Sequence, residues 1–206
     1  MEKKRGFLLM KMKILFAALL LSATTLLSAQ EAKYGIKSAI IKKDMVAMGQ
    51  KVECAWYVED YGKKEAVEIA MKTGGVAGIE KHIRTISEGA SVVNVDLDMK
   101  TAMRMNLPQQ PINYLQLTPD VIEKFKIKET GKEEIAGKPC KKYALEITQM
   151  GQTVQMSVWI WKGLALKSET ASNGMVVMVE TATQVDESSV VPVDKFVVPE
   201  GINVKE

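Results

Sequence analysis

The residues able to do chemistry are few: one histidine, His82; two cysteines, Cys54 and Cys140; and a close acidic pair, Asp96 and Asp98. A single histidine cannot supply the usual clustered metal site. Nucleophilic catalysis would require a serine or cysteine, His82 and a third orienting group, and no serine sits in a Gly-x-Ser-x-Gly elbow. Gly74-Gly75 and Gly78 share only glycine content with a phosphate loop, since no Lys-Ser or Lys-Thr follows at the required spacing. Asp96 and Asp98 fall on one side of an alternating segment, a spacing that would suit paired carboxylates. Lys100 and Arg104 on that side can offset their charge, which is the pattern of a solvated strand face. No catalytic residue, metal ligand or cofactor is therefore expected, and His82 reads as a surface strand residue.

Cys54 and Cys140 are a candidate disulfide in an oxidising compartment, closing a long loop worth about 4–5 kcal/mol if unstrained. Parity leaves the pairing open. Cys54 shares a face with Val52 and Trp56, whereas Cys140 is out of register with Tyr143 and Leu145 unless Pro139 resets it. Thirteen methionines are present, and with Met1, Met10 and Met12 at the N-terminus, ten remain in the body of the chain. An unbranched, polarizable side chain can line an adaptable pocket or fill gaps in a core, and both readings stand. Trp159 and Trp161 lie on the less apolar side of their strand. They are expected beneath a helix or loop, at a cavity rim or on a partner surface.

These side chains must be placed by strands. Val93, Val95, Leu97, Met99, Thr101, Met103 and Met105 alternate with Asn94, Asp96, Asp98, Lys100, Ala102 and Arg104, which predicts one long strand with a single wet face. Val52, Cys54, Trp56 and Val58 alternate in the same way, as do Val154, Met156, Val158 and Ile160. One-sided strands favour antiparallel pairing. Tyr61-Gly62, Met150-Gly151 and Asn173-Gly174 supply turns, giving a meander of nine or ten strands, five before residue 106 and at least four after residue 140. Between them, Pro108 and Pro111 mark a loop and Thr118-Pro119-Asp120 opens a short helix with a capping hydroxyl and a first-turn proline. Val121, Ile122 and Phe125 form its buried side, and Gly131 is expected to stop it.

The N-terminus reads differently. Lys3, Lys4, Arg5, Lys11 and Lys13 precede the uncharged run Ile14 to Leu27, the order of a secretory signal. As a helix that run spans roughly 20 Å, short of the roughly 30 Å hydrocarbon core of a bilayer, so no permanent membrane span is expected. Ser28 and Ala29 place cleavage before Gln30, giving residues 1–29 as signal peptide and 30–206 as one domain. Neither cysteine directly follows the apolar run, so the lipid-acceptor position of a lipoprotein is missing. Residues 1–29 carry five of the 28 Lys and Arg but one of the 25 Asp and Glu. The remainder then holds 23 basic against 24 acidic residues, a net −1 rather than +3, which excludes a nucleic-acid partner.

The stretches Gly131 to Tyr143 (GKEEIAGKPCKKY), Val158 to Lys167 (VWIWKGLALK) and Phe196 to Gly201 (FVVPEG) resemble short secreted members of the lipoprotein carrier (LolA-like) superfamily, of the outer-membrane lipoprotein-sorting type. The resemblance implies a mostly β fold: a curved antiparallel sheet forming an incomplete half-barrel, with one or more helices against its concave face. It also implies a periplasmic or secreted binding protein holding a lipid, lipoprotein acyl chain or other apolar ligand. The carrier's own signature residues are absent. The rival reading is an envelope protein-interaction or sensory module with a filled core. If the alternating faces point inward, a ligand would contact Leu97, Met99, Met103 and Met105 together with Trp56, Met156, Val158 and Ile160. The partners implied are a lipid or acylated protein in the first case and an envelope protein in the second. N-terminal sequencing of the exported protein should begin at Gln30; recovery of an intact Ile14 to Leu27 segment would refute export.

Overall fold

The computed structural model describes residues 32–205 apart from 48, 74–78, 107–110, 150–151 and 173. The leader, the Gly74-Gly75 and Gly78 segment, Pro108, the Met150-Gly151 turn and Asn173 lie outside the described residues. Alternation and turn chemistry give β1 (Ala39–Ala47), β2 (Gln50–Glu59), β3 (Lys64–Thr73), β4 (Ile79–Glu88), β5 (Ser91–Asp96) and β6 (Thr101–Asn106). After the helix α1 (Pro119–Phe125) come β7 (Lys128–Ile135), β8 (Lys138–Gln149), β9 (Gln152–Trp161), β10 (Leu164–Ser172), β11 (Met175–Asp186) and β12 (Val204–Lys205). They form one sheet in the order β12-β6-β5-β4-β3-β2-β1-β11-β10-β9-β8-β7. Two antiparallel meanders, β1 to β6 and β7 to β11, meet along the β1–β11 seam. Among the described residues only β12 pairs in parallel, on β6.

The fold class expected from the sequence is present: among the described residues, a mostly β chain whose curved sheet does not close into a barrel, with one α-helix. Curvature is visible where β7 approaches β11, four positions away in the sheet. One face carries the main core, in which Trp56, Val58, Ile41, Trp159, Trp161, Leu164 and Leu166 are buried together with Tyr34 and Ile36 from the segment before β1. The opposite face carries two smaller clusters. In one, α1 sets Phe125 against Tyr143, Leu145, Val158 and Ile160; in the other, Val198, Ile202 and Val204 cover Ile86, Val93, Val95 and Ala102.

Three expectations are corrected. The segment Val93 to Met105 is two strands, because a turn with Lys100 at φ 53° reverses the chain between Asp96 and Thr101. Val95 then pairs with Ala102 and Val93 with Arg104, so odd positions of β5 share a face with even positions of β6. The alternation continues in sequence while its faces exchange. Helix α1 ends at Lys126, which adopts the left-handed conformation, and not at Gly131, which lies within β7. Trp159 and Trp161 do not lie under α1: they belong to the main core, and Val158 and Ile160 face the helix. Thr118 does cap α1, accepting a hydrogen bond from the Val121 N–H at 3.4 Å.

The turn before β3 depends on one glycine. Gly62 has φ 87°, and a Cβ there would stand 2.5 Å from the Tyr34 ring, which is fixed by its hydroxyl donating to Glu65 at 2.9 Å. Gly174 has φ 77° but open space around it. Gly174→Ala should therefore cost about 1–2 kcal/mol for the left-handed backbone alone. Gly62→Ala should cost measurably more in denaturant unfolding, and equal losses would remove the steric account.

Candidate functional site

Two cross-strand rows on the helix-bearing face meet at the centre of the sheet. Pairing places Lys42, Ala55, Glu68 and Arg84 in one row and Asp44, Glu53, Ala70 and His82 in the next. The floor of Ala55 and Ala70 ends at Cβ, while the surrounding side chains are long. The result is a groove of about 500 Å³ lined also by Thr183 and Leu97. It runs between the patch covered by α1 and the patch covered by the C-terminal segment.

The walls are polar and of both signs. Asp44 pairs with Lys51 at 2.9 Å, and Glu68 accepts from Arg84 Nε at 2.9 Å, from Lys195 Nζ at 2.9 Å and from the Tyr57 hydroxyl at 3.1 Å. Burial works against ionisation of Glu68, but the hydrogen bonds from Lys195 and Arg84 outweigh it and hold the carboxyl below its ordinary range. Arg84 is buried and also donates to the Asp194 carbonyl at 2.8 Å, tying the C-terminal segment to the groove wall.

His82 sits at the rim with Nδ1 3.1 Å from Asp98 Oδ1, and its backbone N–H donates to Asp98 Oδ2 at 2.6 Å. The hydrogen bond to Asp98 raises the imidazole pKa against partial desolvation, and Asp98 in turn is held low by the His82 N–H. Asp96 pairs with Lys81 at 3.1 Å. The acidic pair is thus offset by Lys81 and His82 across the strands, not by Lys100 and Arg104. Cys54 lies behind the groove, where burial and then Glu180 push its thiol up to about 11, so it is protonated and unreactive at neutral pH. Burial pushes Cys140 up to about 11 as well. Both thiols are free, and their strands β2 and β8 stand five positions apart in the sheet. Among the described residues no group of three or more His, Cys, Asp or Glu is placed to hold a metal.

The ligand row read from the sequence is dispersed. Trp56 belongs to the main core, donating its indole N–H to Glu65 at 3.0 Å, while Val158 and Ile160, with Met156 beside them, lie on the opposite face under α1. Leu97 packs at the edge of the C-terminal cluster and lines the groove. Met99 is 70% exposed in the β5–β6 turn, and Met103 and Met105 are 55% and 41% exposed on β6. The groove residues Lys42, Asp44, Glu53, Glu68 and Ala70 were not picked out by sequence. The available signal was Ala55, a small residue among long polar ones on the wet face of β2.

Residues 38–191 match the family described as a domain of unknown function, DUF4412. The chain belongs to this family. No curated protein matches it. The DUF4412 domain aligns with an uncharacterized conserved protein from Thermus thermophilus at a TM-score of 0.55 and 10% identity, over 82% of this chain and 90% of that one. MucB aligns at 0.50 and 14% identity, over 82% of this chain and 60% of MucB. The Pseudomonas aeruginosa complex of MucA and MucB aligns at 0.49 and 14%, over 82% and 58%. An outer membrane lipoprotein-sorting protein domain from Vibrio parahaemolyticus aligns at 0.38 and 12%, over 80% and 92%, too distant to support an argument. At these identities the first two likenesses establish the fold and nothing further. Among the described residues, no helix is long and apolar enough to cross a membrane.

The His82–Asp98 pair gives a measurable sign. With a raised folded pKa, its contribution is complete below the ordinary imidazole value near 6.5 and disappears as pH rises through the raised value. An NMR titration should place the His82 midpoint above the ordinary value, and Asp98→Asn should lower it. An unchanged midpoint in Asp98→Asn would mean that the pair does not form in solution.

Proposed function

We propose that this chain is a non-enzymatic binding domain of the cell envelope that engages a polypeptide through the groove across β11, β1, β2, β3 and β4. The observation carrying this reading is that the protein's own side chains occupy both apolar faces. Trp56 is committed to Tyr34, Lys43 and Glu65, and Val158 and Ile160 are covered by α1. The positions Trp56, Val158 and Ile160 that an acyl chain would touch are therefore in use, with Met99, Met103 and Met105 left exposed, and the filled-core reading is favoured over the lipid carrier. The open site has a small floor and charged walls of both signs, which suits the amides and mixed side chains of a peptide better than hydrocarbon.

The non-enzymatic reading is supported by Cys54, which is protonated at neutral pH and offers no thiolate nucleophile. The basic leader and its apolar run support an envelope location. In MucB, which shares the fold, the recorded partner is a protein, MucA, and a protein partner here is the analogous reading.

Ala70 opens into the groove, so Ala70→Trp should fill it while leaving the thermal midpoint close to that of the parent. A benzophenone side chain at the exposed wall position 53 should photocrosslink to a polypeptide in envelope extracts, and Ala70→Trp should abolish the adduct. Non-denaturing mass spectrometry of the same preparations is the counter-test. Lipid retained by the parent and lost from Ala70→Trp, with no polypeptide adduct, would replace this reading with the carrier.

A further inference from the structure

On the face opposite the groove, β9 presents two tryptophans, each with two lysines stacked on it. Over Trp161 stand Lys138 at 4.7 Å and Lys162 at 4.6 Å from the ring centre. Over Trp159 stand Lys142 at 4.5 Å and Lys167 at 4.1 Å. The second arrangement is set by strand register. Lys142 is the β8 partner of Trp159, and an irregularity in β10 skips Leu166, so that Lys167 falls opposite Trp159 on the other side. Regular pairing would put Leu166 there, and bulges characteristically re-aim a side chain in this way. The Trp159 N–H donates to Glu133 at 2.5 Å, fixing the ring in its plane.

The two sites differ in how carboxylates meet the lysines. At Trp161 a single carboxylate, Glu187, bridges both lysines, at 2.7 Å from Lys138 and 3.3 Å from Lys162, and these contacts hold its pKa below the ordinary range. At Trp159, Lys167 is met at 3.1 Å by Glu169, two residues along its own strand. Among the described residues no carboxylate lies within ion-pair distance of half-buried Lys142. The next cross-strand row consists of Ala144, Ser157 and Glu169, so beside Lys142 and Trp159 stand two small side chains, one with a hydroxyl that can donate. An indole face attracts one cation readily, but two like charges converging on one ring are stabilised by an anion between them, as Glu187 demonstrates two residues away.

We propose that Lys142, Lys167 and Trp159 form a cradle for one anionic group, a carboxylate or phosphate, supplied by a ligand in the role that Glu187 fills at Trp161. The cradle is on the opposite face from the groove, so its test and the peptide-binding test fail independently. The probes are inorganic phosphate and dodecyl phosphate, with dodecyltrimethylammonium as the cationic control, read by the Trp159 indole N–H resonance of the purified chain. Binding should fall by about tenfold or more in Lys142→Met, which keeps the apolar stem, and recover in Lys142→Arg. Lys162→Met, at the occupied site, should leave it unchanged. Equal response to both phosphates identifies a free anion as the source, and response to dodecyl phosphate alone identifies a lipid headgroup. No response to either phosphate, an equal response to the cation, or undiminished binding by Lys142→Met overturns the proposal.

Discussion

Trp159 and Trp161 project from one side of β9 while Val158 and Ile160 project from the other, and all four are buried. A strand with no wet face needs cover on both sides, and a single sheet offers itself as cover only by bending. The bend that brings β7 toward β11 buries the tryptophans with Ile135 and Cys140. The other side of β9 then requires a separate element, which is α1 and the approach to it through Ile112, Tyr114 and Leu117. The connection between the two meanders is long because it must carry that cover across to β8 and β9.

Charge is built into the same core. Lys43 is buried on the tryptophan-bearing face, over the Trp56 ring at 4.4 Å, and satisfies its ammonium with Glu180 at 3.1 Å and the Ala165 carbonyl at 3.0 Å. Glu65 is likewise buried, accepting from the Tyr34 hydroxyl, the Trp56 indole and Lys33. A buried ion with full hydrogen bonding contributes little net stability over an apolar substitute, but removing one partner strands the other at high cost. These contacts specify alignment: Lys43 ties β1 to β10 and β11 across the seam, and Glu65 ties β3 to the segment preceding β1.

Much of the fold was legible because hydrophobic alternation is a local signal. Val52, Cys54, Trp56 and Val58 share one face as their spacing requires, and the Thr118 cap and Pro119 mark the start of α1. What was illegible depends on register between strands. The turn between Asp96 and Thr101 preserves alternation along the chain while exchanging faces, so no window of sequence separates one long strand from a hairpin. The irregularity at Leu166 places Lys167 opposite Trp159 only because of how β10 pairs with β9. The groove was hidden for the same reason, since Ala55 and Ala70 become a floor only when β2 and β3 are aligned. The resemblance of the last third of the chain to the short carriers implied the sheet type that the structure has, whereas the apolar row read from alternation is divided, because Trp56 and Ile160 point to opposite faces.

The groove and the C-terminal segment share one residue. Glu68 lines the groove and at the same time binds Lys195 and Arg84, and Arg84 holds the carbonyl of Asp194. From there the chain covers Val93 and Val95 and ends as the short parallel strand β12 on β6. Two paired residues are a weak strand on their own, since parallel pairing of that length closes few hydrogen bonds. The position of the C-terminal segment therefore rests on the charge cluster at Glu68 and on the apolar contacts of Val198, Ile202 and Val204. A ligand group that competes for the Glu68 carboxylate would compete with Lys195 as well. A groove occupant that drew on the Glu68 carboxylate would therefore be coupled to the attachment of the C-terminal segment through that side chain.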